Sequence, residues 1–367
     1  MITTVLAYAL LVAVVIQIIF YLSFLNFIFH KSSKKESSIL PISVVICAKN
    51  EAKNLKTLIP ILLEQDYPNF ELVIINDASH DETKEVIEKY TLQDKRVKLV
   101  DVENNEAFWG NKKYALTLGI KATEHEHLLF TDADCVPASK NWITEIASYF
   151  TKNKNIVIGY SKYEIKKYSL VNALARYETL LSGIQCFSYA KMGSAYTADG
   201  RNLAYNKSEF FKVKGFINHM NIRSGHDKLF IKDASDSGNT TISINPDCFT
   251  ISKAPNNLRL WFQQERRNLS TTSHYKLKHK FFLGLFFVSK FLFWALAPLV
   301  IIFNPSLYCF IAIGTYFLIS YISTGVSAYK LKEQSLIPFL PLLELFLVLF
   351  QITIFIANSI SKPTHWK

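Results

Sequence analysis

Apolar positions divide the chain into two kinds of segment, long unbroken runs at the ends and short runs set among charged residues between them. No charged residue occurs over 1–29, which exceeds the roughly 20 apolar residues needed to cross a bilayer. Three further long runs follow late in the chain, about 281–303, 306–329 and 336–358, separated by Asn304-Pro305 and by Lys330-Leu331-Lys332-Glu333. In the middle the runs shorten to strand length, at 42–47, 71–75, 97–100 and 127–131, and the intervening stretches 81–90 and 112–122 read as helices. This alternation predicts an α/β domain with a mostly parallel sheet, in which ligands bind beyond the carboxyl ends of the strands. The polar groups Lys49-Asn50-Glu51, Asn76-Asp77 and Asp132-Ala133-Asp134 each follow such an end.

The expected organisation is an amino-terminal transmembrane helix over 1–30, a polar linker (Lys-Ser-Ser-Lys-Lys-Glu-Ser-Ser, 31–38) and a folded domain over 40–254. The alternation weakens after Asp134, so that domain divides into halves 40–134 and 135–254. A basic, aromatic stretch over 255–280 suits an amphipathic helix at the membrane interface, and 281–360 holds the closing transmembrane helices. No basic stretch precedes the first apolar run and no small-residue cleavage pattern follows it, which argues against a cleaved signal peptide. Lys31, Lys34 and Lys35 follow the run instead and predict an outside amino terminus with the folded domain in the cytoplasm. The expectation is a multi-pass protein of the cell (inner, cytoplasmic) membrane.

Composition agrees: 50% hydrophobic residues and a mean hydropathy of +0.14 are too apolar for an ordinary soluble enzyme. The net charge of +11 does not imply nucleic acid, because the basic residues mix with acidic ones and gather near apolar runs, as at Lys276, Lys278, His279 and Lys280. Anionic lipid headgroups are the expected partner, and no nucleic acid. The cysteines Cys47, Cys135, Cys186, Cys248 and Cys309 lie far apart with no metal or redox spacing and read as reduced thiols.

Asp132 and Asp134, one residue apart at a strand end, can share a divalent cation, Mg²⁺ or Mn²⁺, which turns a nucleotide diphosphate into a good leaving group. Taken alone, such a pair is as readily two surface acids. Four other motifs stand with it in order. They are 44–51 (Val-Val-Ile-Cys-Ala-Lys-Asn-Glu), 65–79 (ending Asn76-Asp77-Ala78-Ser79), Gly110-Asn111-Lys112-Lys113-Tyr114-Ala115-Leu116, and Gly225-His226-Asp227. Together they resemble the family 2 glycosyltransferases of GT-A fold over roughly 40–270.

The resemblance implies a nucleotide-sugar donor held by Ala48, Asn50, Glu51, Asp77, Lys112 and Asp132, with Lys113 in reserve for the diphosphate contact. Asn76 stands where the family has a first acid. The direct metal contact falls to Asp134, supported by Asp132, and the catalytic base to Asp227, because inverting displacement needs a carboxylate to take the acceptor's proton. His226 replaces the acidic neighbour common there; Asp233 and Asp236 compete for the base's role. Residues 263–267 (Gln-Gln-Glu-Arg-Arg) are similar to the Gln-x-x-Arg-Trp signature of membrane synthases. Gln263 and Arg266 therefore join the expected donor contacts, while Arg267 replaces the tryptophan and speaks against processive synthesis. The implied function is inverting sugar transfer, from a UDP-sugar, to a membrane lipid. The alternatives are glycan-chain extension or an inactive nucleotide-sugar-binding membrane protein.

Two ionisable residues inside apolar runs, Lys290 and Glu344, need an explanation. With four crossings and both termini outside they lie at about 13 Å and 12 Å along their helices, close enough in depth to pair. Lys362 and Lys367 count against an outside carboxyl terminus.

Overall fold

The computed structural model describes residues 2–30, 40–103, 112–222 and 224–361. In chain order the elements are α1 (Ile2–Phe24), β1 (Ile42–Ala48), α2 (Ala52–Leu63), β2 (Phe70–Asp77), α3 (Thr83–Gln93), β3 (Val97–Val102), α4 (Lys112–Ala122) and β4 (His127–Asp132). There follow β5 (Cys135–Pro137), α5 (Trp142–Ala147), β6 (Ile156–Ile158), β7 (Ser161–Tyr163), α6 (Leu170–Lys191), β8 (Leu203–Asn206), α7 (Lys207–Lys212) and α8 (His226–Ala234). The chain continues with β9 (Thr240–Ile242), β10 (Thr250–Ser252), α9 (Leu258–Ser270), α10 (Leu277–Phe303), α11 (Leu307–Lys330) and α12 (Leu340–Ile360). The described residues pack as two units, one drawn from 2–30, 165–188 and 255–361, the other from those of 40–164 and 189–254.

In the sheet unit the strand order is β3-β2-β1-β4-β8-β6-β9, with β5-β10-β7 as a small second sheet. The first four are parallel, β1 pairing β2 and β4 and β2 pairing β3, while β8 runs antiparallel to β4 and to β6. All eight residues of β2 are buried, as a strand covered on both faces requires. The one acid in its middle, Glu71, is neutralised by Lys98 at 2.7 Å and accepts from Ser43 Oγ and the Glu124 amide. The strands and helices expected over 42–131 are present, and the described part of α4 spans the expected 112–122.

The other unit holds four helical segments long and apolar enough to cross a membrane: Ile2–Phe27, Leu277–Phe303, Leu307–Lys330 and Gln334–Ile360. Helix α6 belongs here over most of its length, so residues 165–188 leave the half of the folded domain expected to contain them. It is fastened at one end by Arg176, whose guanidinium is buried against Glu333 beyond α11, and at the other by Ser188 to Phe24 of α1. The basic stretch 255–280 is not one helix. Ser270, Thr271, Thr272 and Ser273 each bond back to a carbonyl three residues earlier, which ends α9 in a 3₁₀ turn, and Leu277–Lys280 open α10. Trp261 of α9 stacks on Phe350 of α12, with ring centroids 4.0 Å apart.

Lys290 and Glu344 do meet, at 3.4 Å, both buried. The Lys290 ammonium lies 4.4 Å from the Phe286 ring centre, and Glu344 Oε1 accepts from the hydroxyls of Tyr316 and Tyr21. The topology behind that expectation fares less well. The end of α12 is bound by Arg266 of α9, the helix that leads into the start of α10. Such contacts suit a carboxyl terminus on the side where α10 begins, whereas four crossings with both termini outside place those ends on opposite faces.

Candidate active site

Two strand-end turns form one wall of the site. Asn50 (φ 56°) and Ala78 (φ 47°) both take the left-handed conformation, a strain of about 1–2 kcal/mol for a residue such as Ala that carries a Cβ. Hydrogen bonds between the turns hold it: Asn50 N–H to Ser79 Oγ (3.0 Å), His80 N–H to Asn50 Oδ1 (2.8 Å), Glu51 N–H to Thr83 Oγ1 (2.8 Å) and Ala52 N–H to Asp81 Oδ2 (3.2 Å). Ala48 is fully buried at the strand end, and the Glu51 carboxylate accepts from Asn54 at 2.6 Å. Asp77, 6% exposed, has its carboxyl raised by burial against the pull of Lys49 and Lys112. Asn76, where an acid was expected, donates to Asp101 Oδ1 at 2.8 Å and accepts from the Ser79 amide, bracing the β2 end against β3.

Lys112 opens α4 and directs its ammonium to Asp132 Oδ1 at 2.7 Å. Burial opposes the charge on Asp132, but Lys112 outweighs it and holds the carboxyl down at about 2; the same pairing raises the buried Lys112. Asp134 is exposed, its carboxyl raised by the protein around it and by the Asp132 charge. Ligand atoms of Asp132, Asp134 and Cys135 lie within 4.8 Å of one another. Two crowded carboxylates, one of them resisting ionisation beside the other, are the donor set a Mg²⁺ or Mn²⁺ ion fits. Gly110 and Asn111 of the third motif lie outside the described residues.

The opposite wall is the start of α8. Gly225 (φ 71°) turns the chain into the helix, and Asp227 falls in its first turn, where amide dipoles favour a carboxylate. Its Oδ2 accepts from the Gly200 amide and its Oδ1 from the Lys228 amide, both at 2.8 Å. Against burial, His226, Lys228 and these amides hold Asp227 below the usual carboxylate range, so it is ionised at neutral pH. Position 200 admits only glycine at such close approach, because a Cβ there would sit 2.9 Å from His226 Nε2 and 3.3 Å from Asp227 Cβ. Burial and the nearby Lys112 push His226 down to about 4, so its ring is neutral near pH 7.

One cavity lies between Lys112 and Asp132 on one side and the start of α8 on the other; Asn50, Glu51, Asp77 and Asp134 are not part of its lining. Cys47, Lys112, Thr131, Asp132, Gly200, His226 and Asp227 supply its polar lining, and Val45, Leu116, Phe130 and Phe230 are among its apolar floor. Burial pushes the Cys47 thiol up to about 12, which keeps it protonated and inert. The competitors for the base are occupied elsewhere: Asp233 Oδ2 lies 2.5 Å from His219 Nε2, and Asp236 accepts from the Gly238 and Asn239 amides. Sequence reasoning missed Arg201. It forks onto Asp199, donates to Ser252 Oγ at 2.9 Å and lies over the Tyr163 ring, its field reaching Asp132 and Asp134. The available signal was Asp199 two residues before it.

Gln263 and Arg266 belong to the other unit. Gln263 is exposed on α9, while Arg266 donates from Nε to Asn358 Oδ1 (2.8 Å) and from Nη2 to Ala357 O (3.2 Å) and to Ser361. A guanidinium so committed caps the carboxyl end of α12.

The profile of glycosyl transferase family 2 matches residues 43–230, more than half of the 367 residues. The chain belongs to that family. Among its relatives are an uncharacterised glycosyltransferase of Haemophilus influenzae (32% identity over 34% of this chain and 37% of that one) and the 4,4'-diaponeurosporenoate glycosyltransferase of Staphylococcus haemolyticus (28% over 48% and 47%). The poly-β-1,6-N-acetyl-D-glucosamine synthase of Staphylococcus epidermidis is 35% identical over 26% of this chain and 22% of that one. The chain thus spans less than half the length of these curated relatives. The fold is similar to that of the Pyrobaculum calidifontis mannosyltransferase PcManGT, solved with GDP-Man and Mn²⁺, with a TM-score of 0.60 at 16% identity over 90% of this chain and 98% of that one.

Proposed function

We propose that this family 2 glycosyltransferase moves a sugar, with inversion, from a UDP-sugar to a membrane lipid acceptor at the cytoplasmic face. The observation that carries the reading is the shared cavity, which sets Lys112 and Asp132 opposite Asp227. Asp134 and Asp132 would hold Mg²⁺ or Mn²⁺, which neutralises the departing diphosphate when bound. Lys112 adds its charge on the same oxygens, assisted by the amino end of α4. Asp227, ionised and oriented by two amides, accepts the proton of the acceptor hydroxyl as its oxygen bonds to the anomeric carbon. The bond to the diphosphate oxygen breaks in the same step and its electron pair leaves with the nucleotide, so the anomeric configuration inverts. His226, neutral beside both carboxylates, keeps a competing positive charge out of the cavity.

The lipid acceptor rests on the helical unit and on the missing tryptophan at position 267. Chain extension is the second reading, favoured by the polymer synthase among the relatives. The test is purified protein with Mn²⁺, UDP- and GDP-sugars, and either total membrane lipid extract or glycan primers, with products read by mass. One hexose or N-acetylhexosamine added to a lipid supports the proposal. A ladder of products on a primer transfers it to chain extension, and nucleotide-sugar binding without turnover makes the protein an inactive binder.

A further inference from the structure

We infer that Lys113 is a positioning residue which ties the donor helix α4 to the segment presenting the acceptor base, an inference resting on the reading of Asp227 as that base. Lys113 is 1% exposed, a rare state for a lysine, and its ammonium donates to two backbone carbonyls, His219 O at 2.7 Å and Ile222 O at 2.6 Å. Both belong to the stretch that leads into Gly225-His226-Asp227. The same stretch is gripped from the far side, because His219 Nε2 sits 2.5 Å from Asp233 Oδ2, and Asp233 lies on α8 with Asp227. The segment is therefore pinned between α4 and the base's own helix.

Adjacent positions on a helix point about 100° apart. The first turn of α4 thus holds Asp132 with Lys112 and the base segment with Lys113. An apolar side chain of similar length fills the same space but removes the ammonium from both carbonyls: His219 O keeps only the Ile222 amide at 3.0 Å, and the part-buried Ile222 O loses its charged donor, a loss larger than the mean contribution of a hydrogen bond. The consequence is mechanical. Whatever moves the start of α4, a bound diphosphate above all, moves His219 and Ile222 with it, and with them the turn at Gly225, so the occupied donor site sets the position of the base.

The test uses the full chain in detergent with Lys113→Met and Lys113→Arg, read by hydrogen exchange over 214–232, by affinity for UDP and GDP with Mn²⁺, and by turnover. Lys113→Met should speed exchange at 219–229 by about tenfold, the loss of roughly one net hydrogen bond to a charged group. It should leave UDP affinity within about threefold while sugar transfer falls at least about tenfold and hydrolysis by water falls less, because water needs less exact placement. Lys113→Arg, which keeps the donors, should recover part of the protection. Wild-type exchange in Lys113→Met overturns the tie. So does a loss of UDP affinity as large as the loss of turnover, which would make Lys113 a donor ligand. The exchange arm needs no nucleotide: faster exchange in a protein that transfers no sugar would uphold the tie and overturn only the functional reading.

Discussion

Replacing Lys290 and Glu344 singly and together tests the polar contact inside the helical unit, and the structure predicts unequal losses. Lys290 is 3% and Glu344 5% exposed, and breaking a buried pair from one side costs about 3–5 kcal/mol. Lys290→Met leaves a carboxylate that still accepts from the Tyr316 and Tyr21 hydroxyls, so its loss should lie near the lower limit, about 3 kcal/mol. Glu344→Met leaves an ammonium whose Nζ has no hydrogen-bond acceptor and only the Phe286 and Tyr21 rings, at 4.4 and 5.4 Å, for compensation. Such ring contacts return about 0.5–2 kcal/mol, so this variant should lose more, about 4–5 kcal/mol. The double variant, apolar at both positions, should come back to within about 1–2 kcal/mol of wild type. Thermal midpoints in one detergent, followed by the monodisperse fraction on size exclusion, give the order: wild type, double, Lys290→Met, Glu344→Met. Additive single losses, or a double variant worse than either single, would refute the pairing as a source of stability.

The site yields further expectations. Asp134→Ala should abolish transfer with the thermal midpoint unchanged, whereas Lys112→Met should bind Mn²⁺ more tightly without nucleotide, since no ammonium competes for Asp132; isothermal titration separates the two, and equal Mn²⁺ affinity in Lys112→Met would count against the site. Asp227→Asn should bind UDP normally and transfer at least about 100-fold more slowly, and a dead Asp233→Asn beside an active Asp227→Asn would reassign the base. His226, held near 4 in the fold against 6.5 in the unfolded chain, refuses a proton that the unfolded chain takes, so stability of the metal-free protein should fall as pH drops from 6.5 towards 4, by up to about 3 kcal/mol. Asp132, depressed to about 2, adds its own loss only below 3.8, so His226→Asn should reduce the loss in the upper window, to which buried His127 also contributes, and leave the lower one. A reporter fused after residue 367 should share the side of one placed in the 31–38 linker, because Arg266 binds the end of α12; opposite sides would restore the four-crossing arrangement.

What the sequence disclosed follows from which features are local. Strands β1 to β4 are nearly continuous apolar runs ended by polar turns, and α4 begins where a basic pair meets an apolar period, so their limits are written in single short windows. The places of Asp132, Asp134 and Asp227 in the fold follow from equally short windows, at or just beyond the end of β4 and in the first turn of α8 after Gly225. The place of helix α6 does not. Its apolar residues are distributed around the helix, and what assigns it to the helical unit is Arg176 meeting Glu333, 157 positions away. The single long helix expected over 255–280 failed on four hydroxyl residues whose side chains compete with the backbone for its own carbonyls.

Lys112 and Lys113 show where that legibility ends. Adjacent and chemically identical, they read in sequence as one diphosphate lysine and its reserve. Only the rotation of the helix separates them, sending one ammonium to Asp132 Oδ1 and the other to the carbonyls of His219 and Ile222, more than 100 positions further on. Arg266 makes the same point in the opposite direction: its motif predicts a phosphate clamp, but its donors are taken by a helix end 91 to 95 positions away. A motif specifies the charge available at a position. Which partner receives it is decided by packing, and in this chain packing sends Lys112 to Asp132, Lys113 to the carbonyls of His219 and Ile222, and Arg266 to the end of α12.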